Sequence, residues 1–105
     1  MARRREADLE REFQSDLIKE LNAIFPGCFI LKNDPNYLQG VPDLLVLFND
    51  RWAMLEVKAA ETSDHQPNQD FYVDQLGQMS YAAFIHPENK DYILAELQQA
   101  FGAGR

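Results

Sequence analysis

The chain has 105 residues, 46% of them hydrophobic and 11% aromatic, with five Gly and five Pro, which excludes disorder and predicts one domain over residues 1–105. A single cysteine, Cys28, excludes a disulfide framework and a cysteine-rich zinc site. It fits a reducing compartment, and with neither a membrane-length apolar run nor a signal-peptide core the expected location is cytoplasmic. Ten Lys plus Arg against seventeen Asp plus Glu give a net charge of −7, which repels a polyanion at long range.

In chain order, Arg3, Arg4, Arg5 and Arg11 open the sequence. This basic cluster reads equally as a solvated terminus or as a phosphate-contacting arm. From Ala7 to Phe25, Leu9, Phe13, Leu17, Leu21 and Ile24 recur at three- and four-residue steps, predicting an amphipathic helix closed by Pro26-Gly27. Cys28 to Leu31 reads as a short strand before the turn Asn33-Asp34-Pro35-Asn36. Val41 to Phe48 and Trp52 to Ala59 read as a hairpin around Asn49-Asp50-Arg51. Both strands are apolar on both faces, which predicts a central, covered sheet. A second helix is expected from about Pro67 to Ser80, a fourth strand over Ala82 to His86, and a last helix from Asn89 to Phe101. The order is αβββαβα, an α/β fold with a mixed sheet.

Polar residues interrupt the apolar hairpin: Asp43 in the first strand, Glu56 and Lys58 in the second. A turn at Asn49-Asp50 pairs residues whose numbers sum to 99, setting Asp43 opposite Glu56 with Lys58 on the same face; a three-residue loop shifts the sum to 100. The first register is preferred. Two carboxylates facing each other in an apolar sheet repel, and a hard divalent cation reverses that sign. Mg²⁺ held by Asp43 and Glu56, with Lys58 orienting a water or stabilising charge on phosphorus, is equipment for phosphodiester hydrolysis. The alternative is structural: an ordinary Glu56–Lys58 ion pair on an edge strand, with Asp43 capping the turn after Pro42.

Pro42-Asp43, twelve intervening residues and Glu56-Val57-Lys58 resemble the PD-(D/E)XK nuclease signature. The element order resembles that superfamily's restriction-endonuclease-like αβββαβ core, here with a C-terminal helix. Gly40-Val41-Pro42-Asp43-Leu44, Leu55-Glu56-Val57-Lys58 and Gln66-Pro67-Asn68-Gln69 are similar to the VRR-NUC group, especially its small stand-alone phage members. The resemblance spans about Glu10 to Phe101. It implies a Mg²⁺- or Mn²⁺-dependent structure-specific endonuclease that cuts four-way (Holliday) DNA junctions as a homodimer. The metal set it implies is Asp43, Glu56 and Val57. It also implies an acidic residue on the first helix, for which Glu10 fits best with Glu12 and Glu20 as fallbacks, and a role for Gln69 in positioning Lys58, a water or a phosphate.

Lys32 reads as a solvated strand-end lysine, and Tyr37, Trp52, Tyr72 and Tyr81 as core or base-stacking aromatics. His65 and His86 read as isolated loop or strand-end residues, and Cys28 as a buried thiol. Two other functions compete with DNA cleavage: a non-catalytic adaptor of the same fold in a replication, recombination or packaging assembly, and an enzyme acting on RNA or a small nucleotide.

Overall fold

The computed structural model describes residues 4–102. Its elements run α1 (Glu6–Ile24), β1 (Phe29–Lys32), β2 (Leu44–Phe48), β3 (Arg51–Val57), α2 (Gln69–Met79), β4 (Tyr81–Ile85) and α3 (Lys90–Phe101). This is the expected α-β-β-β-α-β-α order, with a mixed sheet flanked by helices.

The apolar spacing of α1 buries Leu17 and Leu21, and the helix ends at Ile24, just before Pro26, which cannot continue it; Gly27, at a positive φ of 89°, then turns the chain toward β1. The sheet order is β1-β2-β3-β4, antiparallel between the first three strands and parallel between β3 and β4. The parallel step requires a crossover, which α2 supplies. In the hairpin Leu44 pairs with Leu55 and Phe48 with Arg51, so the two-residue turn and the sum-99 register hold. Asn49 opens the turn at φ 57°.

Strand β2 begins at Leu44, three residues later than expected. Pro42 has no N–H to give to a ladder, and Asn33 instead staples this entry: its backbone N–H donates to the Asp43 carbonyl at 2.8 Å and its side-chain amide to the Pro42 carbonyl at 2.8 Å.

Alternation divides the sheet into two faces. Leu44, Val46, Ala53, Leu55, Val57 and Ile85 join Leu17, Leu21 and Phe25 of α1 and Ile93, Leu94, Leu97 and Phe101 of α3 in the core. On the other face α2 packs over β3 and β4, close enough that a Cβ on Gly77 would lie 3.8 Å from the Ala82 carbonyl oxygen. None of the α2 residues is buried. The expectation of a sheet covered on both sides therefore fails: Leu45, Leu47, Trp52 and Met54 remain partly open, because α2 lies toward β4 and leaves the β1–β2 side bare.

Candidate active site

The partly open face carries a third cross-strand step beyond its apolar residues. Continuing the hairpin register by one residue sets Asp43 against Glu56, whose partner on β4 is Phe84. Here β2 gives way to the Pro42 entry, and the Asp43 Oδ2 accepts the Val57 backbone N–H at 2.8 Å. Lys58 extends β3 by donating its N–H to the Ile85 carbonyl at 2.9 Å. Glu56 and Lys58 are only 4% and 6% exposed, on a strand interior to the sheet. The edge-strand reading of this ion pair is excluded.

Gln69, the first residue of α2, joins the two charges. Its Nε2 donates to Glu56 Oε2 at 3.0 Å, while its Oε1 accepts from Lys58 Nζ at 2.7 Å and from the Gln66 N–H at 2.8 Å. Lys58 Nζ also donates to the Asp64 carbonyl at 2.9 Å and stands 3.9 Å from Glu56 Oε2. The approach of α2 to this site depends on Gly40. At φ 94°, a Cβ there would fall 2.6 Å from the Asn68 Cβ, so only glycine lets the strand entry pass the start of α2.

These groups line a cavity of about 350 Å³ together with Glu6, Ala7, Glu10, Ser63, Asp64 and Gln66. Of the three first-helix acids expected from the sequence, Glu10 is the one that reaches it, and Glu6 of the same helix lines it as well. Glu12 pairs with Arg4 and Glu20 with Lys90, so neither fallback is at the site. The loop from residue 59 to 68 is tied down on several sides. Ser63 Oγ donates to Glu6 Oε1 at 2.6 Å, the Glu61 N–H to Glu88 Oε1 at 3.1 Å, and the His65 ring stacks on Phe84 at 4.0 Å while pairing with Asp70.

Burial dominates the electrostatics. It raises the Glu56 carboxyl to about 8, with the Asp43 charge adding to the effect. Asp43 is also raised by burial, against the opposing Val57 N–H, and Glu10 by burial and then by Asp43. A proton on Glu56 makes a hydrogen bond with Asp43 as acceptor; as a carboxylate, Glu56 keeps a buried Oε1 without a partner. That orphaned oxygen beside a second carboxylate suits a hard cation that keeps water and substrate oxygens in its remaining positions. Among the described residues no three His, Cys, Asp or Glu side chains cluster tightly enough to hold an ion by themselves. The residues thus fit a cation that would take the two carboxylates, while the Val57 side chain lies in the core and its N–H is given to Asp43.

Sequence reasoning missed Glu6, Ser63 and the Asp64 carbonyl. Glu6 and Ser63 lie 57 positions apart, and a main-chain acceptor leaves no mark on residue type. The basic cluster is engaged: Arg4 pairs with Glu12, and Arg5 and Arg11 both with Asp8, while Arg3 lies outside the described residues. Lys32 is exposed on β1 and does not line the cavity. His86 pairs with Glu88. Cys28 is half-buried rather than buried, and its thiol is pushed up by desolvation. No helix among the described residues is long and apolar enough to cross a membrane. The chain matches no protein-family model and no curated protein.

Proposed function

We propose that this chain is a Mg²⁺-dependent DNA endonuclease, able to use Mn²⁺, that hydrolyses phosphodiester bonds in branched DNA. Four-way junctions are the substrate suggested by its resemblance to the PD-(D/E)XK and VRR-NUC nucleases. The observation that supports this reading is the facing pair of Asp43, at the entry to β2, and Glu56, on interior strand β3, with the Lys58 ammonium buried beside it. Like charges this deep cost stability, and catalysis gives them a use.

Asp43 and Glu56, with the Val57 main chain, would hold the cation, which when bound polarises a phosphoryl oxygen and acidifies a water. Lys58 Nζ gives two of its three protons to Asp64 and Gln69, leaving one for the attacking water or a phosphoryl oxygen. Gln69 holds the Lys58 and Glu56 side chains in one geometry. Glu10, at the cavity wall, adds negative charge that favours the cation.

An adaptor without catalytic activity is the second reading. It is favoured by the net charge of −7 and by the ion pairs that occupy Arg4, Arg5 and Arg11. The deciding experiment incubates native protein and Lys58→Ala with labelled four-way junction, linear duplex, single-stranded DNA and RNA, in Mg²⁺, Mn²⁺ or EDTA. Metal-dependent junction cutting lost in the variant is expected. Cutting of RNA or duplex alone reassigns the substrate, and no cutting by folded, metal-loaded protein moves the reading to the adaptor.

A further inference from the structure

Lys58 has a long, flexible side chain, and two acceptors on different segments fix its ammonium: Gln69 Oε1, at the start of α2, and the Asp64 carbonyl, in the loop before it. Gln69 is itself tied to Glu56 and to the Gln66 N–H. The Asp64 carbonyl is set by the residue before it. Ser63 gives its backbone N–H to the Ala60 carbonyl at 3.1 Å, and its Oγ accepts the Ala60 N–H at 3.1 Å, which closes a tight turn. The Oγ proton goes to Glu6 Oε1 at 2.6 Å, a short charge-assisted hydrogen bond. Glu6 stands in the first turn of α1, the helix that Leu17 and Leu21 anchor in the core. The hydroxyl therefore uses its donor on α1 and a lone pair on its own turn, and it joins the loop to a fixed post.

We propose that Ser63 is a positioning residue for Lys58: latched to Glu6, it holds the Asp64 carbonyl where that carbonyl and Gln69 together aim the third ammonium proton into the cavity. The inference rests on the reading of Lys58 as the group that meets the attacking water or a phosphoryl oxygen. An ammonium on a four-carbon stem has no direction of its own. With Gln69 as its one remaining acceptor it swings about that contact, and a misplacement of about 1 Å in a catalytic group is enough to slow a reaction.

The rest of the loop is secured separately, by the Glu61 N–H on Glu88 and by the His65 ring on Phe84. Cutting the Ser63–Glu6 bond therefore frees the turn next to Asp64 without releasing the loop. Glu6 is exposed and Ser63 partly so, which lets water replace part of the lost bond. The expected loss of rate is accordingly about 10-fold, the low end for a hydrogen bond to a charged group.

The test compares native protein with Ser63→Ala, Ser63→Thr, Glu6→Ala and the double variant Ser63→Ala/Glu6→Ala, with circular dichroism checking the fold of each. One readout is the NMR signal of the Lys58 ammonium in metal-free protein, visible only while its protons are held against exchange. The other is single-turnover cleavage of the four-way junction at saturating Mg²⁺ and DNA. Expected are a Lys58 signal in native protein and Ser63→Thr, and its loss in Ser63→Ala. Cleavage should be about 10-fold slower in Ser63→Ala with its half-saturating DNA and Mg²⁺ concentrations unchanged. Threonine, which keeps the hydroxyl, should restore the rate, and the double variant should be no slower than Glu6→Ala. A Ser63→Ala protein with the native signal or the native rate overturns the proposal. So do a native protein without a Lys58 signal, a loss that threonine does not repair, and losses that multiply in the double variant. Native protein that shows the signal but cuts no substrate refutes the nuclease reading instead, and the Lys58 signal in Ser63→Ala then decides the positioning alone.

Discussion

Leu44 and Leu45 are neighbours in sequence and identical in chemistry, and they have opposite fates. Leu44 is fully buried under α1 and α3, whereas Leu45 looks out from the α2 side and remains partly open. The difference lies in which helix covers which strand. The core face is closed by two helices and is apolar throughout its centre. The other face changes character along its length, from the rows containing Leu47 and Leu45 to the Asp43–Glu56 step. Alternation assigns each residue a face, and the helices then decide whether that face is a core, an open surface or a polar cavity.

The sharpest break in this comparison is at the acidic step. Lys58→Ala and Asp43→Ala are expected to reduce metal-dependent cleavage by at least 10²–10³-fold, the range for removing a preorganised electrostatic group. Single-turnover assays at saturating Mg²⁺ check this. The core face breaks differently: Leu44→Ala should cost about 2–5 kcal/mol of stability through the cavity it leaves, read by urea denaturation of the metal-free protein. Gly40→Ala belongs with it. The added methyl must displace the Asn68 Cβ from a backbone already at positive φ, so a stability loss of about 1–3 kcal/mol is expected, with weakened metal binding as Gln69 shifts.

A pH experiment separates the two faces without touching the core. Glu56 titrates at about 8 in the fold and near 4.3 when unfolded, so the folded state binds the extra proton between these values. The stability from that proton is complete below the unfolded value and is lost as pH rises through about 8. Metal-free protein should therefore weaken from pH 5 to 9, and Glu56→Gln should flatten that slope. Mg²⁺ acts in the opposite direction, because its binding requires the ionised carboxylate and releases the proton. Melting curves at several pH values, with EDTA or Mg²⁺, test both signs. A Glu56→Gln protein with an unchanged slope would remove the acidic step as the source of the effect.

Much of this was legible in the sequence because it follows from period and spacing. The two-residue turn fixed the hairpin register, and with it the meeting of Asp43 and Glu56, and the apolar periods located all three helices. Coverage was not legible. Apolar residues on both faces of β2 and β3 predicted burial on both, yet an open sheet face can carry the same residue types as a core. Glu10 could be separated from Glu12 and Glu20 only by where α1 crosses the cavity mouth, since all three are ordinary helix residues in sequence. The Ser63–Glu6 contact joins a loop to a helix start across most of the chain, with no local pattern to signal it.

The smallest expected effect is the most direct test of the comparison. Leu45→Ala removes the same atoms as Leu44→Ala, but from a side chain that already meets solvent, so the monomer should lose less than about 1 kcal/mol by the reduced area withdrawn from water. Urea denaturation of the two variants side by side checks this. A Leu45→Ala penalty as large as that of Leu44→Ala would mean that this face is packed within the chain as tightly as the core, because only a side chain already withdrawn from water leaves a cavity when it is shortened.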